Sequence, residues 1–142
     1  LAGARLGFTI APKEIIAAME TLRYSTNPYN VNRMTEFAGV AALEENDYYM
    51  ANAKTIMENR AWTVAELQKL GFAVLPSKAN FVFAKSDKVD GETLYKALKA
   101  RGVLVRHFTK ERIAPYVRIT IGTKAQMETL IAKIKEILEA QK

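Results

Sequence analysis

YVRITIGTKAQMETLIAKIKEIL, residues 116–138, changes its period halfway along. Over 116–121 the apolar residues alternate, with Val117, Ile119 and Ile121 on one side and Tyr116, Arg118 and Thr120 on the other. That is the two-residue repeat of a strand with one buried face. Farther on, Met127, Leu130, Ile131, Ile134, Ile137 and Leu138 recur at helical spacing and form one apolar stripe. Between the two, Thr123 with Gln126 three residues later has the pattern of a capping box. The stretch predicts a strand that turns into a helix, their apolar faces packed together.

Working back from it, VLVRHF (103–108) repeats the alternation: Val103 and Val105 face one way, Leu104 and Arg106 the other. Residues 90–101 read as a helix closed by Gly102. NFVFAK (80–85) reads as a strand with Phe81 and Phe83 on one face and Asn80 satisfying backbone groups at its start; 72–75 reads as a shorter strand. Helices are expected over 33–45 and 47–69, the second with Ala53, Ile56, Met57, Val64 and Leu67 as its stripe and Gly71 at its end. From 47 onward the order is helix, strand, strand, helix, strand, strand, helix. This predicts an α+β layer, a small sheet with helices on one side. Ahead of it, 5–11 reads as a strand, Pro12 opens a helix carrying Ile15, Ile16, Met19 and Leu22, and STNPYNVN (25–32) is loop chemistry. A domain boundary is expected there: 1–31 the end of one domain, 32–142 a second.

Composition removes several function classes. The 142 residues carry a net charge of +6, but the 21 basic residues are interleaved with 15 acidic ones and no four basic residues are consecutive. The pattern is that of a solvated surface, so a nucleic-acid partner is not expected. Apolar runs are far too short to span a membrane. Without cysteine there is no disulfide or thiolate metal site, which fits a reducing compartment. The single histidine, His107, has no second histidine with which to hold a metal, and it reads as an ordinary residue at a strand end.

The arginines carry more information. Arg118, in the middle of a half-apolar strand, needs an anionic partner if it is covered. Its planar fork suits a carboxylate or a phosphate, so both a structural ion pair and a bound anion stay open. If 103–108 and 116–121 are neighbouring strands, Arg106 and Arg118 share a face, and two adjacent cations favour an anion between them. Arg5, between Gly3 and Gly7, could hold a phosphate or a loop carboxylate.

LAGARLGF at the start, NPYNVN, VLPSKANFVF, GVLVRHF and YVRITIGT before a terminal helix together resemble the C-terminal part of the histidinol-phosphate aminotransferase family. These are fold-type I, class I/II enzymes that use pyridoxal 5′-phosphate. The resemblance covers essentially the whole chain. It implies a partial α/β PLP-transferase fold: residues 1–31 as the end of the large cofactor-binding domain, 32–142 as the α+β small domain. It places the family's Schiff-base lysine about four residues before Leu1, so the catalytic group is expected outside this sequence. The chain would hold roughly two-fifths of such an enzyme and be inactive alone. Arg5 matches the arginine on the cofactor phosphate. Arg118 and Arg106 match a substrate-side pair suited to the phosphate of histidinol phosphate and to the carboxylates of glutamate or 2-oxoglutarate. Tyr29 and Asn30 lie in a loop expected near the substrate. The resemblance also implies a cytoplasmic homodimer. Sister class I/II aminotransferases for aromatic or other amino acids and threonine-phosphate decarboxylase share these features and remain alternatives. So does a stand-alone α+β ligand-binding module.

Overall fold

A computed structural model describes residues 1–140, apart from the side chain of Ala2. The chain forms two compact units, Leu1–Ala51 and a second from Asn52 onward, dividing within one long helix.

In the first unit a short 3-10 helix, Ala2–Ala4, leads through Arg5 into extended chain. Helix α1, Lys13–Thr26, follows Pro12, and α2, Arg33–Glu44, begins at Asn32, whose side chain accepts from the Thr35 N–H at 2.9 Å. The strand expected over 5–11 does not form. A strand exists only through ladder bonds to a neighbour, and this unit has no other strand to supply them. Phe8 and Ile10 are accordingly exposed. Helix α1 runs two residues past its expected end at Tyr24, and the Thr21, Ser25 and Thr26 hydroxyls donate to carbonyls four residues earlier. The stripe of α1 is present but uncovered, and neither helix buries a residue.

Helix α3, Asn46–Lys69, continues into the second unit. There β1 (Phe72–Val74), β2 (Phe81–Ser86), β3 (Arg106–His107) and β4 (Val117–Thr120) form an antiparallel sheet in the order β1-β2-β4-β3. Helices α4, Gly91–Ala100, and α5, Lys124–Glu139, complete it. Val82, Ala84, Val117 and Ile119 line the covered face and form one core with Leu67, Leu94, Leu98, Leu130 and Ile134. This is the expected layer, with the alternation of β4 in the expected sense. The capping box at α5 has both arms: the Gln126 N–H donates to Thr123 Oγ1 at 3.3 Å and the Thr123 N–H donates to Gln126 Oε1 at 2.9 Å.

Strand β3 is shorter than the 103–108 stretch predicts. Gly102, at φ +77°, turns the chain, and the Val103 N–H bonds back to Leu98 O at 3.0 Å, so only Arg106 and His107 reach register with β4. Asn80 acts through its backbone, its carbonyl accepting from the Ile121 N–H at 2.9 Å. Buried Asn59 ties α3 to the β4–α5 corner, and buried Thr63 bonds back within α3 to the Asn59 carbonyl. Asn59 Nδ2 donates to Gly122 O at 2.9 Å, and Thr63 Oγ1 donates to Asn59 O at 2.7 Å.

Candidate functional site

The open face of the sheet carries the candidate site. Alternation in β4 sends Val117 and Ile119 into the core and leaves Arg118 and Thr120 exposed. Antiparallel pairing then sets Phe83 opposite Arg118 on one side and Arg106 opposite Arg118 on the other. Side chains of directly opposed residues start about 5 Å apart, so two guanidinium groups project from adjacent positions.

Among the described residues no carboxylate answers them: the ion pairs join Glu20, Glu66, Glu92, Glu128 and Glu136 to other lysines and arginines. The structural ion pair open to Arg118 on sequence grounds is therefore not made. Aromatic rings surround the arginines instead. The Arg118 Cζ lies 5.4 Å from the Phe81 ring centre and 5.8 Å from that of Phe108, and the Arg106 Cζ lies 5.4 Å from Phe108. Phe83 stacks on Tyr116 at 4.8 Å and meets Phe108 edge-on at 6.2 Å. Lys85 Nζ stands 5.7 Å from the Tyr116 ring, adding a third cation to this face. Leu75, Pro76, Phe81, Phe83, Phe108 and Ile113 line a concavity of about 520 Å³ beside Arg118.

Such a face can take an anion. Neutral rings hold the cations by their electron-rich faces without using up N–H donors, and the donors stay free for phosphate or carboxylate oxygens. His107, next to Arg106, turns the other way. Its Nε2 lies 2.8 Å from Ala114 O and its ring stacks on Tyr95, so it anchors the 109–115 segment as the ordinary strand-end residue the sequence suggests. The ring platform itself escaped sequence reasoning. The signal was there in the alternation: Phe81, Phe83, Lys85 and Tyr116 share the face of Arg118, and Phe108 lies two residues after Arg106.

The remaining candidates lie in the first unit. Arg5 is exposed, without a polar partner among the described residues, and is the one non-glycine residue there with positive φ, +59°. Strained backbone of this kind concentrates at ligand sites. A Cβ at Gly3 or Gly7 would meet nothing within 4 Å, so space lies open on both sides of Arg5 in sequence. Asn30 lines a hollow of about 760 Å³ together with Leu6, Gly7, Phe8, Arg23 and Val31. Tyr29 is 92% exposed, and neither it nor Arg5 lines that hollow. Arg23 fixes the loop beside them: it bonds Glu20 and donates from Nη1 to Pro28 O at 3.0 Å. No group of three or more His, Cys, Asp or Glu residues is placed to hold a metal among the described residues, and no described helix is long and apolar enough to cross a membrane.

Residues 1–134 match the family described as aminotransferase class I and II. Histidinol-phosphate aminotransferase of Clostridium botulinum (strain Okra) is 39% identical over 138 residues, 97% of this chain and 39% of that protein. Histidinol-phosphate aminotransferase 1 of Pseudomonas fluorescens is 42% identical over 137 residues, 96% of this chain and 39% of that protein. The crystal structure of histidinol-phosphate aminotransferase from Sinorhizobium meliloti in complex with pyridoxal 5′-phosphate superposes with a TM-score of 0.82 at 26% identity, covering 100% of this chain and 39% of that one. The chain thus spans 39% of the length of these relatives.

Proposed function

The chain belongs to the aminotransferase class I and II family, and on that premise we propose that it is the anion-binding part of a pyridoxal 5′-phosphate-dependent histidinol-phosphate aminotransferase. The reaction moves an amino group between histidinol phosphate and 2-oxoglutarate, giving imidazole-acetol phosphate and glutamate, and runs in reverse. Residues 1–31 belong to the end of the large domain and 32–142 to the small domain. A cytoplasmic homodimer with small-molecule substrates goes with this reading.

One observation carries it: Arg106 and Arg118 are opposed in register, and among the described residues no carboxylate pairs with either. Two like charges so placed repel unless an anion joins them. A phosphate dianion matches the pair in charge and offers oxygens for both forks. In the other half of the reaction, the carboxylates of glutamate satisfy the same donors. Arg118 and Arg106 therefore bind and orient substrate by its anionic end. Asn30 and Tyr29, in the 27–32 loop of the first unit, are carried as further substrate-side residues on the family likeness alone.

Arg5 fits the cofactor phosphate by its chemistry. It is an exposed guanidinium with no polar partner among the described residues, next to glycines with open space around them. When bound, pyridoxal 5′-phosphate supplies an aldehyde that takes up the amino group and a ring that withdraws electrons from it. Arg5 would hold the phosphate end and fix where the cofactor sits.

The test is a substrate panel on the protein that carries this chain, run with 2-oxoglutarate as acceptor. Histidinol phosphate is expected to exceed phenylalanine, tyrosine and threonine phosphate as donor. Equal or better turnover of phenylalanine or tyrosine, or release of carbon dioxide from threonine phosphate, would replace this reading.

A further inference from the structure

Phe108 stands where both arginines meet. Its ring centre is within cation–π range of the Arg106 Cζ, 5.4 Å, and of the Arg118 Cζ, 5.8 Å. Phe81, by contrast, faces only Arg118. We propose that Phe108 is a positioning residue for the anion site: its ring orders both guanidinium groups before an anion arrives. The proposal rests on the reading of that pair as an anion site.

The chemistry favours a ring over a carboxylate for this task. A carboxylate between the arginines would orient them but neutralise the site and occupy the donors that the ligand needs. A benzene ring accepts no conventional hydrogen bond, so the guanidinium N–H groups stay available. Its electron-rich face also offsets part of the repulsion between the two cations. Freely rotating arginines would have to be immobilised on binding, each at a cost in side-chain entropy. Phe108 is itself held. It is half-buried, packs edge-on against Phe83, and Phe83 is stacked on Tyr116. The order of the arginines is thus anchored in the sheet.

The experiment measures binding of inorganic phosphate to the full chain by calorimetry, for the wild type and the Phe108→Leu, Phe108→Tyr and Arg118→Gln variants. Side-chain Nε–Hε heteronuclear NOEs of Arg106 and Arg118 are recorded without ligand. Phe108→Leu should weaken phosphate binding about tenfold, and Phe108→Tyr should stay within about twofold of wild type. The Nε–Hε groups should be ordered in wild type and Phe108→Tyr and mobile in Phe108→Leu, while backbone amide shifts outside 104–118 stay unchanged. A purely structural role for Phe108 would not loosen the arginines selectively. If Phe108→Leu binds phosphate like wild type while Arg118→Gln has lost it, the anion site stands and the role of Phe108 is overturned. If wild type binds no phosphate, or Arg118→Gln binds as well as wild type, the anion site falls and the proposal with it.

Discussion

Arg106 and Arg118 are cross-strand partners, opposed in register at the open edge of the β3–β4 ladder. A carboxylate opposite an arginine would stabilise such a pair, whereas a second arginine destabilises it. Here the neighbours are Phe108, Phe81 and Phe83.

The arrangement predicts opposite effects on stability and binding. Directly opposed like charges destabilise a sheet by a few tenths of a kcal/mol to about 1 kcal/mol. Arg106→Gln should therefore leave the urea midpoint unchanged or raise it slightly. The same substitution should weaken phosphate binding by about tenfold or more, since it removes a charge-assisted contact. Denaturation and calorimetry on one preparation check both signs. A lowered midpoint would mean that Arg106 has a stabilising partner.

Gly91 opens α4 against the segment that precedes β4. A Cβ there would lie 2.5 Å from Ala114 O and 3.0 Å from Pro115 O, both backbone atoms that cannot swing aside. Gly91→Ala should cost about 1–3 kcal/mol, despite alanine's better helix propensity. Guanidinium unfolding of the variant gives the figure.

Asn59 is buried and donates to Gly122 O. Asn59→Ala leaves that carbonyl without its partner and opens a small cavity, so a loss of about 1–3 kcal/mol is expected. Asn59→Asp should be no better, because a carboxylate has no N–H to offer. Thermal unfolding at neutral pH distinguishes both from wild type.

Asp90 caps α4, accepting from the Thr93 N–H at 3.0 Å. Hydrogen bonds from Thr93, side chain first and then backbone, hold its carboxyl below the usual value. A depressed folded pKa contributes stability that is present above the unfolded pKa, ~3.9, and is lost as pH falls through the lower folded value. Asp90→Asn keeps an acceptor but has no proton to gain. Its stability should fall less steeply than wild type below about pH 4, while Asp90→Ala should cost about 1 kcal/mol at neutral pH. Urea midpoints across the acid range test this.

Local signals were legible in the sequence. The capping box, the stripe of α5 and the alternation of β4 each depend on residues a few positions apart, and each is found as read. The convergence of Arg106 and Arg118 was also legible, because alternation fixes faces once two strands are taken as neighbours. The strand expected over 5–11 failed because alternation states a preference and cannot supply a partner strand. Strand β3 shrank because Gly102 and Val103 bond back to the end of α4. Asn59 and Gly122 are 63 residues apart, and nothing local to either foretells their contact. Phe108 was half legible: two residues after Arg106 it follows the same alternation, while its reach to Arg118 depends on the register of separate strands.

The most direct test of the account follows the Arg106 and Arg118 side-chain Nε–Hε resonances while the full chain is titrated with inorganic phosphate. Both should shift together along one binding curve, saturating at one phosphate per chain and weakening as salt rises. Resonances that do not move, or that move independently with different affinities, would show that the two arginines do not form one anion site.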